Sequence, residues 1–172
     1  FSREDLAEAI SAGDLFVVFQ PILDLTTLVP VGAEALVRWR HPLRGIVPPG
    51  LFVGLAESSG LVYGMTEQVL TQALAFASRP EYSWNGKPLA LSVNLATAAL
   101  IEGDPTRLIM SLLAASGVAP GRLVVEVTES VMQAERTRVL EIVSRLRLRG
   151  VELSIDDFGT GTSSLERLDQ FP

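Results

Sequence analysis

The chain has 172 residues, enough for one domain with a contiguous core, and its apolar content of 48% is ordinary for a globular protein. Its 14 lysines and arginines against 20 aspartates and glutamates give a net charge of -6, which argues against a strongly basic DNA- or RNA-binding surface. The absence of cysteine excludes disulfides, thiolate metal sites and cysteine nucleophiles. No apolar run reaches the roughly 18 residues of a transmembrane helix, and a start carrying Arg3, Glu4, Asp5 and Glu8 is not a signal peptide.

Ser2 caps a first predicted helix, with Asp5 as its capping-box partner and Gly13 as its stop. Leu15 to Leu25 reads as a strand, and Pro21 marks it as an edge or a bulge. A second strand is predicted from Val31 to Trp39, followed by turn residues through Pro48-Pro49-Gly50. Leu51 to Ser58 reads as a short helix and Thr66 to Ala77 as a longer one, with Val69, Leu70, Ala73 and Leu74 on one side. Pro80 to Lys87 reads as a loop and Pro88 to Leu95 as a strand. Asp104-Pro105 opens the next helix in cap-then-proline order, and Gly117 closes it.

Leu123 to Val127 (strand), Thr137 to Leu148 (helix) and Val151 to Ile155 (strand) follow, with a further helix beginning over Ser163 to Leu168. Strand followed by amphipathic helix, repeated, predicts an α/β fold with a mainly parallel sheet. Periodicity leaves an open doubly wound sheet and a (β/α) barrel both available. The dinucleotide glycine fingerprint is missing, and polar residues cluster at strand C-terminal ends, where barrels carry their active face.

Period two places Glu34, Leu36 and Arg38 on one face of the second strand. Such a carboxylate and guanidinium can serve one phosphodiester, the first through a metal and the second directly; a plain ion pair or a solvated edge is the alternative. Asn94 closes its strand and can ligate a hard cation or cap a turn. Glu126 sits between valines in an apolar strand, a costly place for a carboxylate unless it is paired or metal-bound. Glu129 lies just beyond. Asp156-Asp157-Phe158-Gly159-Thr160-Gly161 follows the last strand, and its adjacent acids suit a metal site or, alternatively, a helix cap. Glu34, Asn94, Glu126 and Asp156 offer only oxygen, which suits Mg²⁺ or Mn²⁺ better than structural zinc. His41, the sole histidine, precedes a proline in a turn and reads as a packing or hydrogen-bonding residue.

These residues stand in ordered blocks. Gln20-Pro21 is followed by Glu34-Ala35-Leu36-Val37-Arg38-Trp39, His41-Pro42, Ala56-Glu57, Ser92-Val93-Asn94-Leu95, Glu126-Val127-Thr128-Glu129-Ser130 and the Asp156–Gly161 run. In this order they resemble the EAL-domain family of cyclic-di-GMP phosphodiesterases, named for the motif at Glu34-Ala35-Leu36. The resemblance implies a TIM-like (β/α) barrel of EAL type with an atypical first strand, and Mg²⁺- or Mn²⁺-dependent hydrolysis of cyclic di-GMP to linear pGpG. It implies that Glu34, Asn94, Glu126 and Asp156 surround one ion and that Asp157 helps to hold a second. It places Arg38 on substrate phosphate, Gln20 at the guanine or sugar end and Leu36 in the pocket wall. Glu129 would steady the loop after Asp157, a segment coupled to homodimer contacts in this family.

Two positions depart from the pattern. Ala96 stands where serine is common, and Thr162 where tyrosine is common. Family members also continue past Pro172 with a catalytic lysine, another glutamate and a substrate-contacting glutamine. Residues 1–172 are therefore expected to be a partial EAL domain with about the first five barrel strands. The setting implied is cytoplasmic, as a free protein or as the cytoplasmic part of a larger, membrane-attached signalling protein. The alternative is a non-catalytic cyclic-di-GMP receptor or protein-interaction module on the same fold.

Overall fold

The computed structural model describes residues 1–101, 103–128 and 136–156. Helix α1 (Arg3–Ala12) begins at a complete capping box: the Asp5 amide donates to the Ser2 hydroxyl, and the Ser2 amide donates to the Asp5 carboxylate. Gly13 ends it in the left-handed region at φ 77°, where a side chain would be strained.

Strands β1 (Leu15–Leu23) and β2 (Pro30–His41) pair antiparallel, with Gln20 opposite Glu34. Pro21 is accommodated because β1 ends the sheet order, and the register slips between Ile22 and Leu23. The turn between the strands is tied by Asp24, whose carboxylate accepts from the Thr26 and Thr27 amides and the Thr27 hydroxyl. That turn stops β1 at Leu23 rather than at Leu25. A short strand β3 (Gly45–Val47) folds back on β2, inside the stretch read as turn residues.

Helix α2 (Val53–Ser58) leads to α3 (Val62–Ala77), which starts a turn earlier than its sequence pattern predicts. Val62, Met65, Thr66, Val69, Leu70, Ala73, Leu74 and Ala77 are its buried set, the spacing of one helical face. Gln68 and Gln72 donate from α3 to the carbonyls of Ile10 and Leu15, locking it to α1 and β1. The predicted loop after α3 contains a two-stranded hairpin, β4 (Ser83–Trp84) and β5 (Lys87–Pro88). Asn85 and Gly86 form its turn with φ 48° and 76°, the positive pair that a tight hairpin requires.

Strand β6 (Ala90–Asn94), helix α4 (Thr97–Ile101), helix α5 (Pro105–Ser116), strand β7 (Leu123–Thr128), helix α6 (Arg136–Leu148) and strand β8 (Glu152–Asp156) complete the described chain. The helix expected from Ser163 lies outside the described residues. The sheet order is β1-β2-β6-β7-β8, with β2, β6, β7 and β8 mutually parallel. Ala33, Ala35, Leu91, Val93, Leu123, Val125 and Val127 are buried in one hydrophobic core with α3, α5 and α6. The alternate residues therefore belong to the opposite face of the sheet. Arg122 joins two layers, donating to the Leu89 and Ala77 carbonyls beneath the Tyr82 ring. His41 packs between Trp39 and Phe1 and accepts from the Leu43 amide, the packing role read from the sequence.

Candidate functional site

Four parallel strands deliver the expected oxygen ligands to the face away from the helices. Glu34 on β2 is opposite Ser92 on β6; Asn94, two residues further along β6, is opposite Glu126 on β7. Asp156 on β8 is opposite Thr128, two residues beyond Glu126. Each step of two keeps the side chain on the same face, so the set forms a diagonal across the sheet. Parallel strands that tilt and shear, as in a barrel, bring such a diagonal to one level.

Asn94 Nδ2 donates to Glu34 Oε1 at 2.7 Å, joining the ends of neighbouring strands. Using the amide nitrogen in this way leaves the amide oxygen as the group's donor atom for a cation. Glu126 is half-buried, and burial is the main cause that pushes its carboxyl above the usual carboxylate range. The Ser92 hydroxyl donates to it and pulls the other way, while the charges of Glu34 and Asp156 push it further up. Thus Glu34 and Asp156, on two other strands, both act against ionisation of Glu126, and one buried hydroxyl partly steadies that carboxylate. Among the described residues, no three acidic or histidine side chains are drawn close enough to form a ready-made metal cage. An all-oxygen set with crowded negative charge still has the chemistry that fits a hard divalent cation.

Leu36 and Arg38 share the face of Glu34. Arg38 is half-buried and donates from Nη1 to the Val37 carbonyl at 2.8 Å. Leu36 and Asn94 are among the residues lining a cavity of about 490 Å³, together with Val37, Val53, Glu57 and Met65. Gln20 is exposed on β1, opposite Glu34. Asp157 and Glu129 lie outside the described residues. Ser92 is the residue to which the sequence reading gave no role. It is 3% exposed, and its signal was available: it lies two residues before Asn94 and hence on the same face.

The family model described as "EAL domain" matches residues 3–172. The chain belongs to the EAL domain family. The EAL chain is 36% identical over 170 residues to the cyclic di-GMP phosphodiesterase NbdA of Pseudomonas aeruginosa, covering 99% of this chain and 22% of that protein. The PaMucR phosphodiesterase, solved in complex with c-di-GMP, superposes with a TM-score of 0.89 at 33% identity, covering 98% of this chain and 68% of that one. Klebsiella pneumoniae BlrP1, solved with manganese and cyclic di-GMP, gives a TM-score of 0.75 at 27% identity, covering 92% and 38%. The sheet and its helices are thus part of a TIM-like barrel of EAL type, and the antiparallel β1 is its atypical first strand. The chain spans between 20% and 27% of the length of curated relatives of this kind. Among the described residues, no helix is long and apolar enough to cross a membrane.

Proposed function

We propose that the complete domain carrying this chain hydrolyses cyclic di-GMP to linear pGpG with Mg²⁺ or Mn²⁺. The observation that carries this reading is the diagonal of Glu34, Asn94, Glu126 and Asp156 on one sheet face, with the Asn94–Glu34 bond and the strained ionisation of Glu126. Glu34, Asn94, Glu126 and Asp156 would hold one ion, and Asp157 would help to hold a second. When bound, such ions polarise a phosphoryl oxygen and acidify water.

The chain's own groups do the rest. Arg38 exchanges its bond to the Val37 carbonyl for the diester oxygens, where a guanidinium offsets charge through two N–H groups. Leu36 offers an apolar wall to the ligand beside the cavity, and Gln20 sits at the guanine or sugar end. Ser92 holds the Glu126 carboxylate in place. Glu129 steadies the loop after Asp157, and a homodimer is the expected assembly. Water adds to phosphorus, one P–O bond to a ribose 3′-oxygen breaks, and the single linear product carries the freed 3′-hydroxyl at one end and the 5′-phosphate at the other.

The test is chromatographic detection of pGpG after incubating the complete protein with cyclic di-GMP and either ion. Formation of pGpG, reduced at least about a hundredfold by Glu34→Ala, is expected. No product with either ion from a folded protein refutes hydrolysis; tight cyclic-di-GMP binding under those conditions would establish the receptor reading instead. Full activity in Glu34→Ala removes Glu34 from the ligand set.

A further inference from the structure

A second concave feature lies in the helix layer, on the side of the sheet away from the carboxylates. Helices α5 and α6 pack together there, and the cleft of about 610 Å³ beside them is lined by Asp104, Thr106, Arg107, Ser111, Arg145 and Arg149. Three arginines thus line one cleft in a chain whose net charge is -6. Arg145 and Arg149 stand at the C-terminal end of α6, where cations complement the helix dipole. Arg107 has no such reason: it lies in the first turn of α5, where the dipole disfavours a cation. Arg145 pairs with Glu141 through one nitrogen, whereas the Arg107 and Arg149 side chains have no partner among the described residues.

Thr106 supplies an independent sign. It is 6% exposed, lines the cleft, and its buried hydroxyl has no hydrogen-bond partner. A buried hydroxyl left unpaired costs about 1–3 kcal/mol. A rotation of the Thr106 side chain toward an acceptor held in the cleft would relieve that cost.

We infer that the cleft between α5 and α6 binds a small organic phosphate through its monoester group. Guanidinium forks from two helices surround a tetrahedral anion better than they match one planar carboxylate. The Thr106 hydroxyl, unpartnered, adds a donor to the same acceptor, whereas the Ser111 hydroxyl donates to the Leu108 carbonyl at 2.8 Å. The volume lies in the range of small-molecule sites, and Met110 gives the cleft an apolar wall for the organic part. Asp104 already caps α5 by accepting from the Arg107 amide at 2.9 Å. Its negative charge at the rim disfavours an extended polyanion and offers an acceptor to a sugar hydroxyl.

The experiment is calorimetric titration of the complete protein, in metal-free buffer, with inorganic phosphate, ribose 5-phosphate, guanosine 5′-monophosphate and unphosphorylated guanosine in parallel. Saturable binding of the phosphorylated probes, and none of guanosine, is expected. Equal affinity for inorganic phosphate assigns recognition to the anion, and tighter binding of one ester identifies the organic part that the cleft prefers. Arg107→Glu with Arg149→Glu should weaken binding at least about tenfold, whereas Arg107→Lys with Arg149→Lys should weaken it less. If the charge reversal prevents folding, the lysine pair and Thr106→Val decide, since each should still lower affinity. Glu34→Gln should leave the titration unchanged. The inference is overturned by absence of saturable binding up to about 10 mM of every phosphate, by affinity indifferent to the arginine and threonine variants, or by loss of binding in Glu34→Gln.

Discussion

Glu126 concentrates the electrostatics of the carboxylate face. Burial and the charges of Glu34 and Asp156 raise its carboxyl above the ordinary 4.5, against the pull of the Ser92 hydroxyl. The folded protein therefore holds that proton more firmly than the unfolded chain does. The metal-free fold is favoured by this group at pH below 4.5, and the advantage is lost as pH rises through 4.5 and then through the raised folded value. Glu126→Gln removes the titration. Denaturant melts in chelator from pH 4 to pH 8 should show the wild type losing stability relative to this variant as pH rises; parallel curves would show that the crowding is not felt in solution. With manganese the order should reverse, because the amide is a poorer ligand than the carboxylate. The valine-flanked acid was legible as an anomaly in the sequence. The sequence places Ser92 on the face of Asn94, but only the pairing of β6 with β7 brings its hydroxyl to Glu126.

Elements were legible where their period was long and their caps explicit. The Ser2–Asp5 capping box, the Asp104 cap and the buried face of α3 all follow from local pattern. Misses fell on short pieces: β3, α4 and the hairpin turning at Asn85-Gly86 are too brief to show a period, although Asn-Gly is itself a hairpin signal. Glycine makes the contrast between pattern and contact measurable. A Cβ on Gly32 would lie 2.8 Å from the Ala90 carbonyl oxygen, so β2 and β6 could not keep their approach. Gly32→Ala should cost about 1–3 kcal/mol in urea unfolding. Gly54, inside α2 with nothing within 4 Å, should gain stability on replacement by alanine, by about 0.4–1 kcal/mol. Equal effects at the two sites would contradict the close strand approach at Gly32.

At the scale of the molecule, the diagonal of ligands is a property of the assembled sheet. From β2 to β8 it advances two residues at β6 and two more at β8, and no single strand carries that information. Sequence could place each acid near a strand end, but only the pairing registers bring the acids to one face and level. Cation binding should therefore be coupled to global folding, since the unfolded chain scatters the ligands. Manganese at about a hundred times its dissociation constant would stabilise the fold by about 2.7 kcal/mol and so give a rise in Tm. Thermal melts of the complete protein with and without manganese should show that rise. Glu34→Ala and Asp156→Ala should each remove most of it, although these residues sit at opposite ends of the diagonal. A full shift in either variant would exclude that residue from the ligand set. A shift surviving in both would move the ion elsewhere and leave the repulsion around Glu126 without its counter-charge.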